Sequence, residues 1–74
     1  MRVSLLQLQN NISARVIAIH GGMGLTRKLE RLGIRVGGEI IKIDQTPGPV
    51  IVKVGRAHLA IGRGMAAKIL VEAE

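Results

Sequence analysis

The groups in this chain that could move protons or attack a substrate are few. They are the carboxylates of Glu30, Glu39, Asp44, Glu72 and Glu74, the hydroxyls of Ser4 and Ser13, and the imidazoles of His20 and His58. Acid–base or nucleophilic catalysis needs such groups converged in one place, a nucleophile beside its base or two carboxylates flanking a bond. Here the acids are scattered over different elements, and neither serine has a His–Asp arrangement near it. The reading is therefore of a protein that is not an enzyme. A ferrous or other transition-metal site wants several N or O donors together. His20 and His58 stand beside no carboxylate at ligand spacing, and there is no Cys. The plainer reading puts His20 at a strand end and His58 on an outward strand face, with no resident metal or cofactor.

Two other constellations could bind rather than react. Gly21, Gly22 and Gly24 open a helix, and backbone amides at a helix N-terminus can cradle an anion, with Arg27 and Lys28 nearby. The segment lacks the spacing of a Walker A motif, and glycines there also serve a turn that needs positive φ, the reading preferred here. The second constellation is basic. Arg27, Lys28, Arg31 and Arg35 cluster, and Arg56 and Arg63 add to them, within a formal charge of +6 from 11 basic and 5 acidic residues. Such a charge speaks of partners, not fold. Single-strand binders stack bases on aromatic side chains, and this chain has no Phe, Tyr or Trp. Specific nucleic-acid reading is thus unexpected, though salt-sensitive binding to a polyanion stays open. The same absence removes the aromatic groove that proline-rich peptides need.

These residues must be held by short elements. Residues 21–37 organise the chain. Leu25, Leu29 and Leu32 fall at i, i+4 and i+7, an apolar helical seam, while Arg27, Lys28 and Arg31 share one flank and Gly33 ends the helix. Upstream, residues 4–8 suit one helical turn capped by Ser4 with Leu5 and Leu8 inward, and Asn10-Asn11 is a turn. Residues 14–19 form a strand with Val16 and Ala18 on one face and Arg15, Ile17 and Ile19 on the other. Downstream, residues 39–44 form a strand with Ile41 and Ile43 inward and Ile40 and Lys42 outward. After the turn at Thr46-Pro47-Gly48-Pro49, residues 50–54 place Val50, Val52 and Val54 inward and Ile51 and Lys53 outward. Gly55-Arg56 makes a type II′ hairpin to residues 57–61, with Leu59 and Ile61 in and His58 and Ala60 out. A turn or single helical turn over residues 62–67 leads to a last strand, residues 68–72.

The expected architecture is all-β: a small barrel of about five short strands with one helix between the first and second, in a single domain spanning residues 1–74. Closure is preferred because so little helix could not cover an open sheet. The core must be aliphatic, and at 74 residues it is small. The chain shows no secretory pattern and no apolar run of about 20 residues, so a cytoplasmic location is expected.

The residues Ser4-Leu5, Leu8, Ala14-Arg15-Val16, Gly21-Gly22, Leu25, Leu29, Leu32-Gly33-Ile34, Gly37, Val50-Ile51-Val52, Gly55, Leu59-Ala60-Ile61, Ala66-Ala67, Ile69 and Val71 together resemble the FeoA family of ferrous iron transport proteins. The likeness covers essentially the whole chain, and the Leu-Gly-Ile-x-x-Gly stretch after the glycine-opened helix is its most specific part. Two positions depart from the pattern: Val36 stands where Pro is frequent, and Asn11 where Gly is. Val suits extended backbone and Asn tolerates positive φ, so both departures are conformationally sensible. The resemblance implies an SH3-like barrel and an accessory role beside the membrane ferrous iron transporter FeoB, which has a cytosolic GTP-binding domain. It links the chain to transition-metal handling at family level. Similar domains end metal-dependent repressors, which leaves a repressor-associated or nucleic-acid-binding module as the alternative.

A docking surface follows from the leftover residues. The outward faces carry Ile17, Ile19, Ile40 and Ile51, more apolar than solvation requires. Beside Arg27, Lys28, Arg31 and Arg35 they would form an apolar patch with a basic rim, suited to an acidic partner surface or to the anionic cytoplasmic leaflet. Burial of the same isoleucines by the helix is the competing reading. The expected contact set is Arg27, Lys28, Arg31, Arg35, Ile17, Ile40 and Ile51, on a protein held at the membrane only through its partner and able to self-associate.

Overall fold

Alternating valines fix the most regular part of the sheet. In the computed structural model, which describes residues 1–45 and 47–73, the strand β4 (Val50–Val54) buries Val50 and Val52 and pairs antiparallel with β5 (Ala57–Ile61). Gly55 has φ +60° while Arg56 stays at negative φ, the type II′ pattern expected. Thr46, the first residue of the expected Pro-Gly turn, and Glu74, among the acids considered, lie outside the described residues.

The remaining strands are β1 (Arg2–Ser4), β2 (Ile12–Ile19), β3 (Glu39–Gln45) and β6 (Ile69–Glu72), with α1 (Gly22–Arg31) between β2 and β3 and α2 (Arg63–Ala66) between β5 and β6. They form one six-stranded antiparallel sheet in the order β1-β6-β2-β3-β4-β5. A flat sheet is about 10 Å thick with its side chains. This molecule measures 28 × 25 × 22 Å, so the sheet curls round its own core as a small SH3-like barrel. The strands β1 and β5 do not pair with each other, so the closure expected to remove both edges is incomplete. Val16, Leu29, Ile40, Val52, Ile61 and Val71 are among the side chains sealed inside, each at most 1% exposed.

The turn at residues 4–8 forms as expected: Leu8 N–H donates to Ser4 O, Gln7 N–H to Ser4 Oγ, and Leu5 and Leu8 are buried. Asn11 takes φ +64° and Gly33 φ +94°. The strand β1 adds a sixth strand to the five expected; Arg2, Val3 and Ser4 pair with Glu72, Val71 and Leu70 at the far end of the chain.

Three expectations about faces are corrected. On β3 the faces are inverted: Ile40 and Lys42 are 1% and 2% exposed, while Ile41 and Ile43 are half-buried. Register explains this, because Lys42 lies opposite core-facing Val52 and Ile40 opposite buried Ala14. On β2 a bulge between Val16 and Ala18 resets the alternation, so Ile19, opposite Ile69, packs on the core and Ala18 leaves it. In the helical seam Leu29 is fully buried and Leu25 packs on the core, but Leu32 is 40% exposed because α1 ends before it.

Lys42 sits inside with no carboxylate paired to it among the described residues. Its Nζ donates to Leu6 O at 2.9 Å, to Leu8 O at 2.5 Å and to Gln45 Oε1. The lysine therefore pins the N-terminal turn across the end of the barrel. Burial, aided by the Arg63 charge, lowers its pKa below the ordinary 10.5.

The opening of α1 offers a stability test. Gly21 is the N-cap at φ +123°, and a Cβ there would stand 2.8 Å from Leu25 Cδ2 and 3.3 Å from Lys68 Cδ. Gly21→Ala should cost on the order of 1–3 kcal/mol, because the backbone conformation itself is strained for an L-residue. Gly24→Ala, inside the helix with open space around it, should instead stabilise by roughly 0.5–1 kcal/mol. Urea midpoints of the two variants read both effects; equal shifts in one direction would contradict the assignment.

Candidate functional site

The amphipathic spacing of α1 puts its basic residues outward. Leu29 anchors the helix, which leaves Arg27, Lys28 and Arg31 exposed, with Arg35 exposed just beyond. Lys28 and Arg31 lie in the last turn, where the helix dipole favours cations, so part of their placement is local helix chemistry. None of the four has an ion-pair partner among the described residues. The ion pairs found there both go to Glu72, from the Met1 α-ammonium at 3.0 Å and Arg2 Nε at 3.2 Å. These partners hold the Glu72 carboxyl below the usual carboxylate range, the ammonium hydrogen bond contributing most.

Gly33 packs beside Val54, which brings the end of α1 to the β4–β5 hairpin. A shallow depression there is lined by Arg35, Gly38, Glu39, Ile41, Lys53 and Gly55. Lys53 thus joins the basic cluster, a residue that spacing along the chain did not place there. A second depression, on the outer side of β2, has Ile12, Arg15, Ile17, Glu39 and Glu72 on its walls. Of the expected docking set, Ile17 and Ile51 are half-buried, whereas Ile40 is core and is removed from it. Met23 and Val36 are exposed by 67% and 57% and lie on the same helix–loop segment as the arginines.

The groups considered for chemistry stay apart. His20 follows β2 directly, its N–H bonded to Lys68 O, and His58 is exposed on β5. Asp44 Oδ1 accepts from Gln45 N–H and Asn10 Nδ2, and Ser4 caps its turn. No group of three or more His, Cys, Asp or Glu side chains able to hold a metal occurs among the described residues. Gly21 and Gly22 take φ +123° and +85°, the conformational demand that glycine meets. Among the described residues no helix is long and apolar enough to cross a membrane.

A family model described as the FeoA domain matches residues 3–73. A Methanocaldococcus jannaschii protein named Putative Fe(2+) transport protein A is 41% identical over 54 residues, covering 73% of this chain and 66% of that relative, just under two thirds of its length. The crystal structure of an iron uptake regulatory protein, FeoA, superimposes with a TM-score of 0.91 at 31% identity, over 100% of this chain and 99% of the other. A manganese-dependent transcriptional repressor shares the fold, with a TM-score of 0.88 at 17% identity, over 99% of this chain and 42% of the repressor.

Proposed function

The chain belongs to the FeoA domain family, and from that premise we propose that it is a non-enzymatic accessory protein of ferrous iron uptake that docks on the cytosolic part of the FeoB transporter and regulates it. It works in the cytoplasm and meets the membrane through that partner. The observation that supports docking is the exposed, ion-pair-free row of Arg27, Lys28, Arg31 and Arg35, extended by Lys53 at the hairpin. Half-buried Ile17 on β2 and Ile51 on β4 supply apolar area elsewhere on the sheet. Charges of this kind steer an acidic surface into register and set the rate of encounter.

Arg27→Glu combined with Arg31→Glu should weaken association with purified FeoB roughly tenfold at physiological salt, since each exposed pair is worth about 0.2–1 kcal/mol and reversal turns attraction into repulsion. The fold should survive with a loss of about 1 kcal/mol or less, from placing a carboxylate at Arg31 in the last turn, because both side chains are exposed. Undiminished association of the folded double variant would remove the α1 flank from the interface. The alternative, a nucleic-acid-binding module, lacks any aromatic stacking platform in this chain.

A further inference from the structure

Strand β5 is an edge. It pairs with β4 alone, through a two-residue turn whose closing pair is Val54 and Ala57. In such a hairpin the closing pair is hydrogen-bonded and bonded pairs then alternate. Val52–Leu59 and Val50–Ile61 are therefore bonded, and His58 and Ala60 turn their N–H and C=O groups away from β4. Both residues are exposed, and neither has a backbone partner elsewhere among the described residues. Sheet edges are normally blunted by Pro, bulges or charged side chains. Residues 57–61 hold no Pro, Lys, Arg, Asp or Glu, and their register with β4 has no bulge. The opposite edge, β1, is three residues long and has Arg2 tied to Glu72.

The charges on the β4–β5 hairpin and on the segment that follows it are all positive, with Glu39 of β3 the acid that lines the depression beside Lys53 and Gly55. Between Asp44 and Glu72 the chain has no acid, but it has Lys53, Arg56, Arg63 and Lys68. Arg56 and Arg63 are exposed and bracket β5 at its two ends, and Lys53 lies opposite His58. We propose that β5 accepts an extended acidic segment of another protein as an added strand, its backbone bonding His58 and Ala60 and its terminal carboxylates facing Arg56 and Arg63. Main-chain bonds supply affinity in this mode and the flanking charges supply selectivity. A second copy of this chain fits poorly. Antiparallel pairing of β5 with itself about Leu59 would set Arg56 against position 62, beside the partner's Arg63. The surface shares Lys53 with the extended α1 row but depends on neither Arg27 nor Arg31.

The test uses a fluorescent nine-residue peptide, alternating Val and Thr in the middle with two Asp at each end, and the same peptide N-methylated at alternate residues. The intact protein should bind the first peptide and lose at least tenfold with the second, which cannot complete the ladder. Amide hydrogen exchange at His58 and Ala60 should slow when the first peptide is bound. Ala60→Pro removes an outward N–H where an edge strand tolerates proline and should weaken binding at least tenfold, as should Arg56→Glu with Arg63→Glu. Arg27→Glu with Arg31→Glu should leave peptide binding in place, so failure here and failure of FeoB docking are separable. Equal binding of the methylated peptide would mean a charge-only site, and protection of His58 and Ala60 that rises with protein concentration alone would mean a second copy; either result overturns the proposal.

Discussion

Leu29→Ala should remove about 2–5 kcal/mol of folding stability, the usual range for truncating a sealed leucine. A domain of this length has roughly 4–11 kcal/mol in all, so the loss would unfold a large fraction of molecules well below the parent's melting temperature. The expectation rests on how little else holds α1. Leu29 is its one buried residue, Leu25 is only partly covered, and Leu29 O also accepts the N–H of Ile34, which leads the chain into the core after the helix. Leu32→Ala supplies the contrast. At 40% exposure it should cost under about 1 kcal/mol, although heptad-like spacing makes the two leucines look equivalent. Chemical denaturation of both variants checks the difference. If the proposed FeoB docking runs through α1, which carries Arg27, Lys28 and Arg31, Leu29→Ala should weaken it without touching a charge. Equal, small losses for the two leucines would mean that the helix is held by something other than its apolar seam.

What could be read along the chain was whatever depends on near neighbours. The helix limits, the Ser4-capped turn, positive φ at Asn11 and Gly33, and the Gly55 turn all follow from residues within a few positions of each other. What was misread depends on partners far away. The three residues of β1 become a strand only because β6 returns beside them. The inward turn of Ile19 comes from a bulge defined by its pairing with β6. The exposure of Arg27, Lys28 and Arg31 was legible from helical periodicity, but the addition of Lys53 needed the hairpin folded against Gly33. Ile40 shares its strand face with Lys42, and a lysine on an inward face needs acceptors that no local pattern announces.

That lysine is the second residue whose replacement should matter most. Lys42→Ala should cost about 3–5 kcal/mol. The buried methylenes account for about 2 of these at roughly 0.8 each, and the rest comes from leaving the Leu6, Leu8 and Gln45 acceptors without their donor. Lys42→Met keeps the stem and should cost about 1–3 kcal/mol, from the lost hydrogen bonds alone. Replacing a buried charge by a matching apolar side chain can instead stabilise, when desolvation outweighs what the charge gains. The lowered pKa shows that burial and Arg63 cost the charge more than its acceptors return. The expected loss therefore rests on the three hydrogen bonds of the amine, and a methionine variant more stable than the parent at neutral pH would refute it. The pH dependence gives an independent readout. The folded pKa of Lys42 is lowered from 10.5 by burial and then by Arg63. In the window between that lowered value and 10.5 the unfolded chain binds the extra proton, so this group makes stability rise with pH there. The neutral amine still has two N–H donors, enough to keep the turn pinned. Urea midpoints should therefore climb with pH across that window in the parent, and the climb should vanish in Lys42→Met. Exchange at the Leu8 amide, which donates to Ser4 O, should speed up in the same variant at every pH, since the turn then loses the bonds that fasten it over the barrel.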